Sequence, residues 1–160
     1  MESFVVDANV LVVANGDSDG VELVCVRSCV EALQMVRRGR ITLDRSGSII
    51  KEYLARLPDR RGQPGVGKEF LSHLLATQWD PQRAEQVEIH PQGDSYTEFP
   101  DDPELGQFDL GDRKFVAAAR ASSCDPTILN ATDSDWWYHR QALTRYVRLR
   151  FVCPAEMPED

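Results

Sequence analysis

The sequence predicts a single α/β domain, with a central and mostly parallel sheet that has helices on both faces. Three observations favour this class. The 160 residues, 42% of them hydrophobic, have the length and composition of one globular domain. Short apolar runs alternate with stretches of helical periodicity along the chain, an order that is typical of parallel strands joined by helices. There is no internal repeat, and we therefore expect one domain over residues 1–155 and a short acidic tail over residues 156–160.

The first half of the chain has clear start and stop signals for helices. Asp19 and Glu22 have the spacing of a capping box, and Gly39 is of the type that commonly follows the end of a helix. Ser46 or Ser48 is expected to cap the next helix. The predicted elements of this half are strands at 4–6 and 41–43, helices at 23–36, 50–57 and 70–75, and a loop with glycine and proline at 59–67.

The second half continues the alternation after a long interruption. Strands are predicted at 87–89, 127–130 and 149–153, one helix begins after Gly111, and another runs through Trp137 to Leu143. Residues 91–111 hold three prolines and three glycines and are predicted to form an irregular loop. A loop of this length in a compact domain is usually functional or disordered.

Two segments carry nine negative charges, which is more than the whole net charge of −8. The loop at 91–111 has six acidic residues and no lysine or arginine, and the tail at 156–160 has three acidic residues, so that the rest of the chain carries +1. We interpret the loop as a mobile connector, with shielding of a basic surface and mimicry of nucleic acid as alternatives. Because a nearby acidic segment opposes contacts with phosphates, deleting the loop is expected to strengthen the binding of nucleic acid or leave it unchanged.

The cysteines, the apolar runs and the N-terminus bear on the cellular compartment. Cys25 and Cys29 share one face of a predicted helix, and together with Cys124 and Cys153 they lack the spacing and the histidine partners of a zinc site. We therefore expect buried, reduced thiols and the cytoplasm as the default compartment. No apolar run is long enough to span a membrane, and the acidic residues near the N-terminus argue against a signal peptide.

Four carboxylates occupy positions that a parallel sheet can bring together. Asp7 and Asp133 each follow a predicted strand, and Glu52 and Asp112 lie in the first turns of predicted helices. In open α/β sheets, functional sites lie beyond the carboxyl ends of the strands. Clustered carboxylates repel one another, and an oxygen-only set of ligands suits Mg²⁺ or Mn²⁺, ions that usually act on phosphates. Bound by such a cluster, one or two ions would orient a water and stabilise the leaving oxygen in the hydrolysis of a phosphodiester. A surface charge or a helix cap is the alternative for each acid, and Asp109 is the nearest rival of Asp112.

Four strings of residues, each an apolar run next to an acid, occur in chain order. They are Val5-Val6-Asp7-Ala8-Asn9-Val10-Leu11, Ile49-Ile50-Lys51-Glu52-Tyr53-Leu54, Gly111-Asp112-Arg113-Lys114-Phe115-Val116-Ala117-Ala118-Ala119 and Ile128-Leu129-Asn130-Ala131-Thr132-Asp133-Ser134-Asp135-Trp136. Together these strings resemble the motifs of the PIN-domain nuclease family, which includes the ribonuclease toxins of type II toxin–antitoxin pairs. The resemblance covers nearly the whole chain, and it is weakest between residues 59 and 107.

The resemblance implies a role for each matching residue. The catalytic cluster that binds Mg²⁺ or Mn²⁺ would consist of Asp7, Glu52, Asp112 and Asp133. Asp135 would be a supplementary metal ligand or a neighbour of the ligands. Asn9 would hold Asp7 or a metal-bound water, and Thr132 would form a hydrogen bond with the cluster.

Basic and aromatic residues beside these motifs are candidates for contacts with a substrate. The basic candidates to hold the substrate backbone are Arg113, Lys114, Arg120 and Arg140. Trp136 is expected to pack in the core, whereas Trp137 or Tyr138 is the alternative for stacking on a base. His139 is expected to be a packing or surface residue.

The resemblance further implies a metal-dependent cleavage of single-stranded or structured RNA, without a covalent enzyme intermediate. Toxin members of the family imply an antitoxin protein and a second copy of the chain as partners. One alternative is an inactive scaffold of the same fold that binds RNA or protein. Another is an aspartyl phosphatase, which would need Asp-x-Asp where the chain has Asp7-Ala8-Asn9. A P-loop is not complete, because Glu69 follows Lys68 where serine or threonine is needed.

Overall fold

A computed structural model of the chain describes residues 1–59 and 61–159. Arg60, in the predicted loop at 59–67, and Asp160, the end of the predicted tail, lie outside the described residues. The strands are β1 (Ser3–Val6), β2 (Arg40–Asp44), β3 (Ala84–Val87), β4 (Pro91–Gln92), β5 (Ser95–Tyr96), β6 (Thr127–Asn130) and β7 (Arg148–Phe151). Five of them form an all-parallel sheet in the order β3-β2-β1-β6-β7, and β4 pairs with β5 in a small antiparallel hairpin.

Seven α-helices are present among the described residues, and they flank this sheet. They are α1 (Ala8–Ala14), α2 (Leu23–Arg38), α3 (Ser48–Arg56), α4 (Val66–Thr77), α5 (Arg113–Ala121), α6 (Ser134–Tyr138) and α7 (Arg140–Leu143). Short 3-10 turns occur at Pro103–Leu105, Leu110–Asp112 and Pro154–Glu156. The predicted class, a single α/β domain with a parallel central sheet, is confirmed.

The central strand β1 shows that both faces of the sheet are covered. Phe4, Val5 and Val6 are successive residues whose side chains alternate between the faces, and all three are buried. Helix α1 follows directly, and all seven of its residues are buried. The sequence did not predict this helix, because a helix that is apolar nearly all round lacks a polar stripe. Gly67 lets α4 pack against α1, since a Cβ there would collide with the carbonyl oxygen of Leu11.

Several predicted boundaries are wrong. The capping box of Asp19 and Glu22 does not form, because α2 begins after Glu22, whose N–H donates to Glu156 Oε1 at 3.1 Å. The third predicted strand lies at Ala84–Val87 rather than 87–89, in register with β2. The helix predicted through Trp137 to Leu143 is divided into α6 and α7 at His139. The end of α2 before Gly39 agrees with the prediction.

The cap of α3 comes from Asp44, the last residue of β2. Its carboxylate accepts the N–H groups of Ser48 and Ile49, both at 2.8 Å. It also accepts the hydroxyl groups of Ser46 and Ser48, both at 2.6 Å. The prediction that Ser46 or Ser48 caps this helix is therefore wrong, since both hydroxyl groups donate to the aspartate that does so.

The acidic segment at 91–111 is packed against the body of the protein. Its buried apolar side chains include Phe99, Leu105 and Phe108. The guanidinium of Arg145 pairs with Asp102 at 3.2 Å and with Glu104 at 2.8 Å. The interpretation as a mobile connector without counter-charge is therefore wrong. Deleting the segment would remove part of the core along with the charge.

The cysteines and the C-terminal residues also depart from the prediction. A disulfide joins Cys25 of α2 to Cys153 after β7, while Cys29 is free and buried and Cys124 is free and exposed. The prediction of buried, reduced thiols is confirmed for Cys29 and wrong for the other three cysteines, so the cysteines no longer support a cytoplasmic location. Met157, in the predicted tail, is buried. Over residues 1–59 and 61–159, no helix has both the length and the apolar character that crossing a membrane requires.

Candidate active site

The order of the strands reverses between β1 and β6, and we call the edge of the sheet beyond this reversal the crevice. From β1 the sheet extends through β2 and β3 on one side, and then through β6 and β7 on the other. In open α/β sheets, ligands bind at such a reversal, beyond the carboxyl ends of the strands. Asp7 directly follows β1, and Asp133 follows β6 after two intervening residues. Both acids therefore lie where a ligand site is expected.

Three carboxylates meet at this crevice: Asp7, Asp112 and Asp133. One carboxylate oxygen from each lies within 4.8 Å of those from the other two. Asp7 and Asp133 are the N-cap residues of α1 and α6, and Asp112 immediately precedes α5. The start of a helix thus fixes the backbone of each acid. Three of the four predicted acids come together, and Asp112, not its rival Asp109, is the one that joins them.

Burial and mutual repulsion make ionisation of these acids costly. Asp7 is 2% exposed and Asp112 is 8% exposed. Burial, followed by the charges of Asp133 and Glu52, raises the pKa of Asp7 to about 7. Burial, followed by the charges of Asp7 and Asp133, raises the pKa of Asp112 to about 9. Oxygens of Asp112 and Asp133 lie close to each other, and a proton shared between these side chains further raises the pKa of Asp112. Without a cation, the cluster therefore retains protons at neutral pH.

Asn130, the buried last residue of β6, links two of the three acids. Its Nδ2 donates to Asp7 Oδ2 at 3.1 Å, and its Oδ1 accepts the N–H of Asp133 at 3.3 Å. The sequence did not predict a role for this residue. The signal that could have found it is a polar side chain at the end of a strand whose preceding residues, Ile128 and Leu129, are apolar.

Asn9 supports the crevice in a different way from the one expected. Its backbone N–H donates to Asp7 Oδ1 at 3.3 Å, whereas its side-chain Oδ1 accepts the N–H of Ala131 at 2.9 Å. The side chain thus ties α1 to the segment after β6. Thr132 was expected to form a hydrogen bond with the cluster, but among the described residues no hydrogen bond joins it to the three acids. Asn130 instead forms hydrogen bonds with Asp7 and Asp133.

Glu52 lies beside the three acids but is paired with Lys114. The Nζ of Lys114 lies 2.5 Å from Glu52 Oε1 and 2.5 Å from the carbonyl oxygen of Gly111. The two side chains are only 21% and 12% exposed. After burial and the charge of Asp133, the charge of Glu52 also raises the pKa of Asp7. In place of four free carboxylates, the crevice therefore has three carboxylates and one ion pair.

Asp135 holds the turn that carries Asp112. Its Oδ2 accepts the N–H of Asp109 at 2.9 Å, and Asp109 directly precedes the 3-10 turn that ends at Asp112. The Nδ1 of His139 lies 3.3 Å from Asp135 Oδ1. Asp135 is not one of the three acids whose oxygens meet. The geometry gives it a positioning role, and its role as a supplementary metal ligand stays a prediction.

The basic residues predicted to hold a substrate are largely engaged within the protein. The guanidinium of Arg113 donates to the carbonyl oxygens of Phe108, Gly106 and Leu105 at 3.0–3.3 Å. It also lies 4.6 Å from the ring centroid of Phe99. Arg113 therefore holds the acidic segment, and its role in substrate binding stays a prediction.

The aromatic residues after Asp133 differ in exposure. Trp136 is fully buried, as expected. The guanidinium of Arg140 lies 3.8 Å from the ring centroid of Trp137 and donates to its carbonyl oxygen at 2.9 Å. Tyr138 is 68% exposed. Of the aromatic residues in this short helix, Tyr138 is thus the most exposed.

Comparison with protein-family models, with curated proteins and with solved structures finds no match for this chain. The resemblance to PIN-domain nucleases therefore stays a prediction, and the geometry of the three acids is what indicates a function. The crevice offers carboxylate oxygens as ligands, with amide groups behind them, and no sulfur or imidazole in the group that converges. Such a set fits a divalent cation that prefers oxygen, Mg²⁺ or Mn²⁺.

Proposed function

We propose that the protein is a metal-dependent ribonuclease that hydrolyses phosphodiester bonds of RNA, with Mg²⁺ or Mn²⁺ held by Asp7, Asp112 and Asp133. The observation that carries the proposal is the convergence of three carboxylate oxygens within 4.8 Å of one another. The raised pKa values of Asp7 and Asp112, about 7 and about 9, reflect negative charge that the buried crevice does not neutralise by itself. A divalent cation supplies that neutralisation and releases the protons.

The residues around the three acids suit this chemistry. When bound, the ion supplies an activated water and stabilises the leaving oxygen of the phosphodiester. Asn130 holds the side chain of Asp7 and the backbone of Asp133, and Asp135 holds the turn of Asp112. Contacts of this kind keep ligands in position and are often as important as the ligands themselves.

RNA is the proposed substrate for two reasons. The four motif strings resemble a family whose activity is the cleavage of RNA. In addition, the exposed ring of Tyr138 lies in α6, the helix that Asp133 caps, where it can stack on an unpaired base. Stacking accepts any base, so this contact favours a single strand over a paired duplex.

A cleavage assay on the purified chain tests the proposal. Labelled single-stranded RNA, single-stranded DNA and flap DNA are incubated with Mn²⁺, using wild type, Asp112→Asn and Asp133→Asn. Asp109→Asn is the matched control, because Asp109 is an exposed acid outside the three that converge. We expect RNA cleavage by wild type and by the control, and none by the other two variants.

The other outcomes are informative. Cleavage by Asp133→Asn at the wild-type rate would contradict the metal site. Binding of RNA without cleavage by wild type in Mn²⁺ would support the inactive scaffold instead. Preference for flap DNA would retain the site but change the substrate.

A further inference from the structure

We propose that Lys114 occupies the place of a second cation, so that the crevice binds one divalent ion and not two. This inference rests on the function proposed above, since it concerns the number of ions at the same site. It assigns Glu52 to the ion pair with Lys114 and removes it from the set of metal ligands.

The geometry of the ion pair between Lys114 and Glu52 supports the binding of one divalent ion. Lys114 is the second residue of α5, and Glu52 lies in the middle of α3, so the pair joins two helices at the border of the crevice. The ammonium lies 2.5 Å from Glu52 Oε1 and 2.5 Å from the carbonyl oxygen of Gly111. With 12% of the lysine side chain exposed, this ammonium is largely withdrawn from solvent.

The positions of the carboxylate oxygens also separate Glu52 from the metal ligands. Glu52 is absent from the described acids whose ligand oxygens lie within 4.8 Å of one another, although Asp7, Asp112 and Asp133 all qualify. A divalent ion on the Glu52 oxygen would lie at about 2.1 Å from it. The ammonium already approaches the same oxygen, and two cations so close repel each other strongly in a partly buried site.

The net charge of the crevice also suits one divalent ion. Four ionised carboxylates and one ammonium carry three net negative charges, and one divalent ion reduces this to a single negative charge. A second divalent ion would make the crevice positive while Lys114 remains. Removing the lysine restores the deficit of positive charge and frees both oxygens of Glu52.

The number of bound Mn²⁺ ions tests the inference without any measurement of activity. Free Mn²⁺ is titrated by electron paramagnetic resonance against the full chain, as wild type, Lys114→Met and Lys51→Met. Lys51 is the matched control, because it is an exposed lysine adjacent to Glu52 in sequence. We expect one ion for wild type and for Lys51→Met, and two ions for Lys114→Met. The double variant Lys114→Met with Glu52→Gln should return to one.

Glu52→Gln in the wild-type background decides the matter even when Lys114→Met does not fold. Because Glu52→Gln removes a negative charge but no ligand, we expect this variant to bind one Mn²⁺ ion, with a Kd that rises less than that of Asp133→Asn, which removes a ligand. A Kd as weak as that of Asp133→Asn, or two ions in wild type, would overturn the inference and leave the proposed function standing. Absence of Mn²⁺ binding in every variant would overturn the proposed function as well.

Discussion

Replacing Asp7 with asparagine should stabilise the cation-free protein at neutral and alkaline pH but not in acid. The pKa of Asp7 is raised from 3.8 to about 7 by burial and then by the charges of Asp133 and Glu52. Between these two values, the folded chain holds a proton that the unfolded chain has released. The free energy of unfolding therefore falls as the pH rises through this range, and an asparagine escapes the loss because it does not ionise.

The size of the stability difference between Asp7→Asn and wild type follows from the pKa shift of Asp7 and from one hydrogen bond. Each pH unit between the two pKa values lowers the unfolding free energy by about 1.4 kcal/mol, so the difference between variant and wild type should grow by about 3 kcal/mol from about pH 5 to about pH 8. Against this gain, the asparagine amide would present an N–H group to Asn130, whose Nδ2 donates to Asp7 Oδ2 at 3.1 Å in wild type. Losing that bond costs about 1–3 kcal/mol at every pH.

Urea denaturation in EDTA at several pH values measures both the gain that depends on pH and the loss of the hydrogen bond, which does not. Asp44→Asn is the matched control, because Asp44 is also 2% exposed and ends the neighbouring strand. Burial raises the pKa of Asp44, but hydrogen bonds from Ser46 and Ser48 outweigh burial and hold this pKa below its usual value. Asp44 thus stays ionised from about pH 5 upward, and its variant should lose about 1–3 kcal/mol throughout. A stability difference for Asp7→Asn that does not change with pH would refute the argument from repulsion.

Three further predictions concern the metal, the acidic segment and the disulfide. Excess EDTA should stop cleavage and Mn²⁺ or Mg²⁺ should restore it, while Ca²⁺ should bind but support little turnover because its coordination is longer and looser; rapid cleavage in EDTA would contradict the mechanism. Phe108→Ala should lower the unfolding free energy by about 3–5 kcal/mol in urea, since this buried ring lies 5.0 Å from that of Trp136; an unchanged midpoint would mean that the segment is not part of the core. Under oxidising conditions Cys153→Ser should lose about 2–4 kcal/mol, and Cys124→Ser, at a free and exposed cysteine, should lose almost nothing. Equal loss in both variants would exclude the disulfide as the cause.

Local sequence was sufficient for the fold class and for the three acids that converge. Asp7 directly follows β1, and Asp133 follows β6 after two residues. Because parallel strands all end at the same edge of a sheet, the two acids are brought to one edge. Asp112 was separable from Asp109 because Gly111 indicated where the helix begins. In each case the signal lies within a few residues of the acid, and the geometry of the element supplies the rest.

The pairings that were missed join residues far apart in the chain. Lys114 is 62 residues from Glu52, and Cys25 is 128 residues from Cys153. Such contacts depend on how helices and strands pack, and no periodicity or capping rule contains that information. The acidic segment was misjudged for a related reason, because its charges were counted without the buried Phe108 and its neighbours, which hold it in place.

The position of β1 in the middle of the sheet has a consequence for synthesis of the chain. Of the strands in this sheet, β1 is the first to be synthesised, and β2 can join one of its sides early, but the other side pairs with β6, where Phe4 lies opposite Thr127. Until β6 emerges, the nascent chain presents an open edge of apolar residues, the kind of surface that invites pairing with other chains. A chaperone that protects this edge would therefore have to act until β6 emerges, and Asp133 would reach Asp7 only after that.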